Sequence, residues 1–374
     1  MSARATDVVV IGAGIVGAMS SYLLGRRGLA VTLVDADAPG SHASGLAFGG
    51  LDPLQGMGLP EPLLDFSLHC FSRHRDMARE LHDETGIDYH FQTRDRLYLA
   101  FDEDDISQYD ANLSWMKDVS MFDVSWVDGD TTRRLEPKVN PSCAGALYQQ
   151  GAASVDAHTL TLAAARAAER QGADLVPQRA TGLESHGSRV DAVTFAGGKL
   201  QAGAVIIAMG PWSQLIGQWC DVELPVQPLK GQILRLRHDG PAFDVALNYR
   251  GNYADSKPDG LVWTGSTEEE AGFDANPSPA ACDIIWQNAA RMAPGLANAQ
   301  LVRQTACLRP VTPDGIPIVD RLPGWDNLYV ATGAGRKGIL WSIGMCDIIT
   351  NMVMQGGAEV AGAEHLKVDR FARA

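Results

Sequence analysis

Apolar positions along the first forty residues fall into groups with different spacing. Asp7-Val8-Val9-Val10-Ile11 is a continuous, β-branched run, the pattern of a central parallel strand buried on both faces. Ala18 to Arg27 reads as a helix closed by Gly28, and Ala30-Val31-Thr32-Leu33-Val34 as a second strand ending at Asp35. Small residues from Ser41 to Gly50 predict a loop. Pro60 to Thr85 predicts a long helix with Leu63, Leu64, Leu68, Phe71 and Leu81 on one face, ended by Gly86. From Tyr89 to about Gln150 the pattern is strand-rich and irregular. A helix over Thr159–Arg170, rich in alanine, stops at Gly172. Strand patterns follow at Ala173–Val176, Arg189–Phe195 and Ala204–Ala208, the last running into the tight turn Met209-Gly210-Pro211-Trp212-Ser213 before a helix.

The second half alternates more. Strands are expected at Val226–Leu236, Gly251–Tyr253, Leu261–Thr267, Arg303–Val311 and Leu328–Ala331. Ser278 caps a helix that has Pro279 in its first turn and runs to Met292. A glycine-rich turn, Thr332–Gly338, precedes a last helix to about Met354. The chain thus begins and ends in strand–glycine–helix units, which predicts an α/β nucleotide-binding unit interrupted by a mainly antiparallel β-sheet unit. The expected division is 1–88, 151–224 and 312–374 for the first, and 89–150 and 225–311 for the second.

Composition narrows the partners. A chain of 374 residues suits two domains, and 45% hydrophobic against 20% charged residues excludes a wholly disordered chain. Thirty-one basic against 45 acidic residues give a net charge of −14, a field that repels nucleic acid and anionic lipid. Cys70, Cys143, Cys220, Cys282, Cys307 and Cys346 form no C-x-x-C pair and read as reduced packing thiols. His69, His74 and His82 share a helix without regular ligand spacing, so no metal site is expected. No run of eighteen apolar residues is free of charge and glycine, and the first strand starts too early to leave room for a signal segment. A cytoplasmic protein acting on a small molecule is the expectation; a homo-oligomer stays open.

The first chemistry-bearing motif is Gly12-Ala13-Gly14-Ile15-Val16-Gly17 between strand and helix. Gly12 permits the turn, Gly14 lets a pyrophosphate approach the backbone, and Gly17 lets helix and strand pack closely. The helix start offers unpaired N–H groups and a positive dipole end. Asp35, at the end of the next strand, suits a ribose hydroxyl. Gly12, Gly14, Ile15, Val16, Gly17, Asp35 and Ala36 are therefore the expected dinucleotide contacts.

Further blocks carry a resemblance: VVVIGAGIVGAMSSYLLGRRG, VDAHTL, AMGPWS, VQPLKGQILRLR, DGLVWTGSTEEEAGFD, LRPVTPDGIPIVD and ATGAGRKGIL. Over residues 6 to about 350 the chain resembles the D-amino-acid oxidase, glycine oxidase and sarcosine oxidase superfamily of FAD-dependent amine oxidoreductases, nearest to glycine oxidase. The resemblance implies non-covalent FAD, a small carboxylate-bearing amine as substrate, and oxygen or a respiratory quinone carrier as electron acceptor. It implies C–N oxidation by hydride transfer to flavin N5, giving an imine that hydrolyses to a 2-oxo acid.

Arg309 is expected to clamp the substrate carboxylate, since a guanidinium offers two parallel charge-assisted hydrogen bonds. Tyr253 is the expected second contact, with Tyr249 as an alternative. The turn Gly333, Gly335, Arg336, Lys337, Gly338, Ile339 is implied to bring backbone N–H groups to flavin O2, with Arg336 over the site. Ser44, Gly45, Gly49 and Gly50 are implied to line the opposite side, with Val176, Gly210 and Trp212 as further cofactor contacts. Trp263 stands about where sarcosine oxidases carry an oxygen-activating lysine. Cys307 has the offset of a flavin-bonding cysteine, but packing is the expected role. Two competing readings remain: a 2-hydroxy-acid oxidising flavoenzyme, which needs a general base, and a flavin-carrying subunit of a larger dehydrogenase.

Overall fold

The computed structural model describes residues 6–371. Two large sheets organise them. The first has six strands in the order Ile318–Arg321, Leu328–Thr332, Ala204–Ile207, Val8–Ile11, Val31–Asp35, Asp174–Pro177. All its pairings are parallel except that of Ile318–Arg321 with Leu328–Thr332. Val8–Ile11 lies near its centre and is buried throughout, which is why its sequence is continuously apolar rather than alternating. Helices Ile15–Arg26, Ala157–Arg170, Leu64–Thr85 and Gly338–Met354 contribute to a large core that also contains residues of this sheet.

The second sheet has eight strands: Gln300–Val311, Gln227–Arg237, Val262–Gly265, Asn252–Ser256, Ala246–Tyr249, Arg96–Ala100, Gly145–Gln150, Asp123–Asp128. Only the Ala246–Tyr249 pairing with Arg96–Ala100 is parallel. Its longest ladder joins Gln227–Arg237 to Gln300–Val311, in unbroken register from Gln227↔Val311 to Arg235↔Arg303. Helix Pro279–Met292 shares a separate core with this sheet. The fold is thus mixed α/β, a mostly parallel sheet beside a mostly antiparallel one.

Three expectations need correction. The irregular strand-rich stretch from Tyr89 to Gln150 contains two helices, Glu103–Lys117 and Gly129–Leu135. Their signal is local rather than apolar: Asp102 and Asp128 accept the N–H groups of Asp105 and Thr131, and acidic residues follow in each first turn. Only Asp105 and Met116 of the longer helix are buried, so hydrophobic periodicity had little to report. The supposed loop 41–50 holds a short helix, Ala43–Leu46, and the start of strand Gly50–Leu51. The long helix begins at Leu64, after a turn, rather than at Pro60.

Candidate functional site

The three glycines of the first motif are required for three different reasons. Gly12 turns the chain at φ +111°, and a Cβ there would lie 2.3 Å from the carbonyl oxygen of Ala208 on the neighbouring strand connection. A Cβ on Gly17 would lie 1.8 Å from the Gly12 carbonyl, so the helix can seat on the turn only without a side chain. Gly14 is different: its Cβ would meet only the Ser44 hydroxyl, at 3.1 Å. That open face adjoins the start of helix Ile15–Arg26, where the cap residue Gly14 has no side chain to offer. Ile15 N–H donates to Ser44 Oγ at 3.0 Å. Asp35 accepts the N–H of Ala13 at 2.6 Å and of Asp37 at 3.0 Å. The acidic residue therefore braces the glycine turn as well as standing at its edge beside Ala36. Val176 lies next to Val34 in register, one residue before the level of Asp35. A helix start capped by a glycine and touched only by the Ser44 hydroxyl, a backbone with no side chain over Gly14 and an adjacent carboxylate fit a dinucleotide pyrophosphate and ribose.

The other glycines proposed for this side answer mainly to the chain itself. A Cβ on Gly45 would lie 1.9 Å from the Gly40 carbonyl, and one on Gly49 2.2 Å from that of Val155. A Cβ on Gly50 would press on Arg96 and Phe48. Gly210, at φ +53°, accepts a hydrogen bond from Thr332 Oγ1, joining the two glycine turns that follow parallel strands. Trp212 packs between His42 and Phe273, at 4.8 and 5.8 Å between ring centroids.

The turn after strand Leu328–Thr332 is built on Gly333 and Gly335, both with positive φ. Ala334 bridges to Val311 at the end of the Arg309 strand, so the turn and that strand are fixed together. Helix Gly338–Met354 starts with no side-chain cap and continues a helical turn over Gly335–Lys337, in which Lys337 N–H donates to the Ala334 carbonyl at 3.0 Å. The Lys337 side chain points inward. Its Nζ donates to the Asp52 carbonyl at 2.7 Å, and burial pulls its pKa down to about 8. Against the cost of burial, the charges of Lys337 and Arg96 and the hydrogen bonds from Tyr98 and Gln149 hold the buried Asp52 carboxylate below its ordinary range. Ile339 is buried, and its carbonyl receives His74 Nε2 at 2.8 Å. His74 is thus a core residue that ties two helices together, and His69 faces Asp347 at 3.4 Å.

The second half of the site lies on the antiparallel sheet. Arg309 is 9% exposed, and its Nη1 donates to the Thr267 carbonyl at 3.0 Å. Its remaining donors have no hydrogen bond among the described residues. Burial, reinforced by the nearby Arg336 charge, lowers its pKa, so an anion arriving here meets an undercompensated cation. Tyr253 stacks on Phe48 with centroids 3.9 Å apart, and its hydroxyl has no hydrogen-bond partner among the described residues. Burial raises its pKa, while Arg309 and Arg336 pull the other way. Tyr249 does not join them. Pairing of Asn248 with Tyr253 and of Tyr249 with Asn252 puts the two tyrosines on opposite faces, and Tyr249 sits edge-on to Phe101 in the other core. Arg336 is 43% exposed in its side chain, donating to the Gly251 carbonyl and pairing with Glu268 at 3.2 Å.

Cys307 shares a face with Arg309 because the strand is regular here. Burial raises its thiol pKa, which disfavours the thiolate that a covalent bond requires. All six cysteines are free. Trp263 packs with Tyr253 and Ile233, under the Arg235 guanidinium at 4.0 Å.

Four residues of this region escaped the sequence reading. Gly231 makes room for the Arg309 guanidinium, Glu268 faces both arginines, and Asp52 anchors Lys337. Lys257 is 7% exposed, with its Nζ 4.4 Å above Phe48, bonded to Ser154 and depressed by burial to about 8. Ser256-Lys257-Pro258-Asp259-Gly260 has the composition of a solvated hairpin turn, so nothing local marks that lysine as buried. Asp52, a charge just after Gly49-Gly50-Leu51, was the one visible signal.

Comparison with known proteins bears on the fold and the family. The chain is 30% identical to glycine oxidase of Pseudomonas aeruginosa over 92% of its own length and 94% of the relative's. It is also 30% identical to hydrogen cyanide synthase subunit HcnC of Pseudomonas protegens, over 90% and 89%. The crystal structure of glycine oxidase from Geobacillus kaustophilus superposes with a TM-score of 0.93 at 27% identity, covering 98% of this chain and 99% of that one. Residues 7–352 match the family described as FAD dependent oxidoreductase, and the chain belongs to that family, in its glycine oxidase-like part.

Proposed function

We propose that this enzyme oxidises the C–N bond of a small amino acid or N-substituted amino acid, giving an imine that hydrolyses to a 2-oxo acid. The observation that carries the reading is Arg309: a buried guanidinium with donors unengaged among the described residues, beside a Tyr253 hydroxyl likewise unengaged among them, on the same face of the sheet. The names of the relatives, glycine oxidase among them, point to small amino acids. Bound FAD would supply the two-electron acceptor for the hydride.

The chain's own residues supply position and field. Arg309 holds the substrate carboxylate by its planar fork. Tyr253 stays protonated, because burial raises its pKa, and so acts as a hydrogen-bond donor to that carboxylate rather than as a base. Arg336 stands at the more exposed rim. Residues 12–17, Asp35 and the start of helix Ile15–Arg26 would hold the adenosine and pyrophosphate half, and the amides of 333–339 the flavin end. The segments 89–150 and 225–311 carry the substrate contacts on this reading, and the remainder the cofactor. No histidine contacts Arg309, Tyr253 or Arg336 among the described residues, which favours an amine over a 2-hydroxy acid needing a stronger base. Six free cysteines suit a reducing, cytoplasmic setting.

The test is anaerobic flavin bleaching by the FAD-loaded enzyme with a panel of glycine, N-methylglycine, D- and L-amino acids and 2-hydroxy acids. Rapid bleaching by a small amine acid is expected. Bleaching by hydroxy acids alone would overturn the reading. Re-oxidation of the bleached enzyme by oxygen or by a soluble quinone then identifies the acceptor.

A further inference from the structure

Among the described residues, Glu268 is the one acidic side chain bridging the two arginines of the site. Its Oε1 lies 3.2 Å from Arg336 Nη1 and 4.0 Å from Arg309 Nη1. Its neighbours are committed elsewhere. Thr267 Oγ1 accepts the Gln232 N–H at 3.1 Å, Glu269 accepts from Gln232 Nε2 at 2.8 Å, and the Glu269 backbone pairs with Lys230 in both directions at 3.0 Å. The backbone at 267–269 is therefore clamped to strand Gln227–Arg237, while Glu268 alone turns its carboxylate the other way. At 45% side-chain exposure it stays in contact with solvent, at the mouth rather than in the core.

This arrangement has a consequence for any incoming anion. Arg336 is held by the Gly251 carbonyl and by Glu268, so it is already neutralised. Arg309, farther from Glu268 and with donors to spare, is the guanidinium left open. A ligand with one carboxylate can take Arg309. A ligand with two must place the second near Arg336, where it meets the Glu268 charge.

We propose that Glu268 is a specificity-determining residue that occupies Arg336 and restricts the site to amines bearing a single carboxylate, rejecting dicarboxylates by like-charge repulsion. This rests on the reading of Arg309 as the carboxylate clamp. Glu268→Gln removes the charge at nearly constant size, and the Gly251 carbonyl still positions Arg336.

Acetate and malonate serve as unreactive mono- and dicarboxylate probes, titrated calorimetrically into the FAD-loaded enzyme at constant ionic strength. E268Q should raise malonate affinity ~10-fold or more relative to acetate, and the double variant E268Q/R336Q should cancel that gain. A malonate-to-acetate ratio unmoved by E268Q, or a gain that survives loss of Arg336, overturns the proposal. Arg309→Met is the separating control. If it abolishes acetate binding while E268Q leaves the ratio unmoved, the clamp stands and only the role of Glu268 falls. If acetate binds Arg309→Met as tightly as the unaltered enzyme, the clamp itself fails and this proposal with it.

Discussion

The guanidinium of Arg309 lies directly over the backbone of Gly231: a Cβ on that glycine would come 2.1 Å from Nη2 and 2.2 Å from Cζ. The two residues sit on paired strands, with Gly231 opposite Cys307 and Arg309 two positions further along. Absence of a side chain at 231 thus gives the arginine its resting place. Gly231→Ala should displace the fork, and misplacement by about 1 Å costs on the order of 10²-fold in kcat/KM. Steady-state kinetics with an unchanged flavin spectrum would locate the loss at the substrate side.

Arg309→Met should lower kcat/KM by about 2–5 kcal/mol, the cost of truncating one partner of a desolvated charge pair. Arg309→Lys should recover only part of it, because an ammonium is a point charge without two parallel donors. Equal kinetics for the unaltered enzyme and Arg309→Met would mean the guanidinium is structural, through its bond to the Thr267 carbonyl.

Gly14 and Gly17 should fail in different ways. Gly17→Ala drives a Cβ into the Gly12 carbonyl and should lower the melting temperature even without FAD. Gly14→Ala meets only the Ser44 hydroxyl, so the protein should fold with near-normal stability and lose FAD affinity. Thermal unfolding and fluorescence titration with FAD, run on both variants, separate the two effects.

His74 gives the protein an acid-sensitive link. Burial lowers its pKa from 6.5 to about 4, and its Nε2–H is shared by the carbonyls of Ile339 and Leu340. Between those values the unfolded chain takes up a proton that the folded chain refuses. This contribution is complete above pH 6.5, declines as pH falls towards 4, and amounts to on the order of 3 kcal/mol. His74→Gln keeps a donor but cannot titrate, so urea denaturation across pH 4–7 should show a shallower dependence.

Flavin should leave the protein on acid precipitation, since burial keeps the Cys307 thiol protonated. Colour that remains on the pellet after washing would instead establish a covalent bond, and Cys307→Ser would then release it.

The α/β plan and the glycine motif were legible because their signals are local. Val8 to Asp35 packs strand, turn, helix and strand into one stretch, and each glycine answers to a neighbour within that unit or directly beside it. The helix Glu103–Lys117 was not legible by periodicity, because it buries so little that its charged cap carries the signal. Tyr253 and Tyr249 are alike in sequence terms; only strand register, which alternates faces every residue, sends one towards Arg309 and the other into a separate core. Lys257 follows the same logic, a turn lysine buried by Phe48 and Ser154 from distant segments. The chain alone determined which residue types could do this chemistry, since turns and caps are set by a few adjacent positions. Tertiary structure decided which of them meet: Arg309, Glu268 and Arg336 come together through strand pairing and the bridge between Val311 and Ala334, contacts whose partners no local spacing encodes.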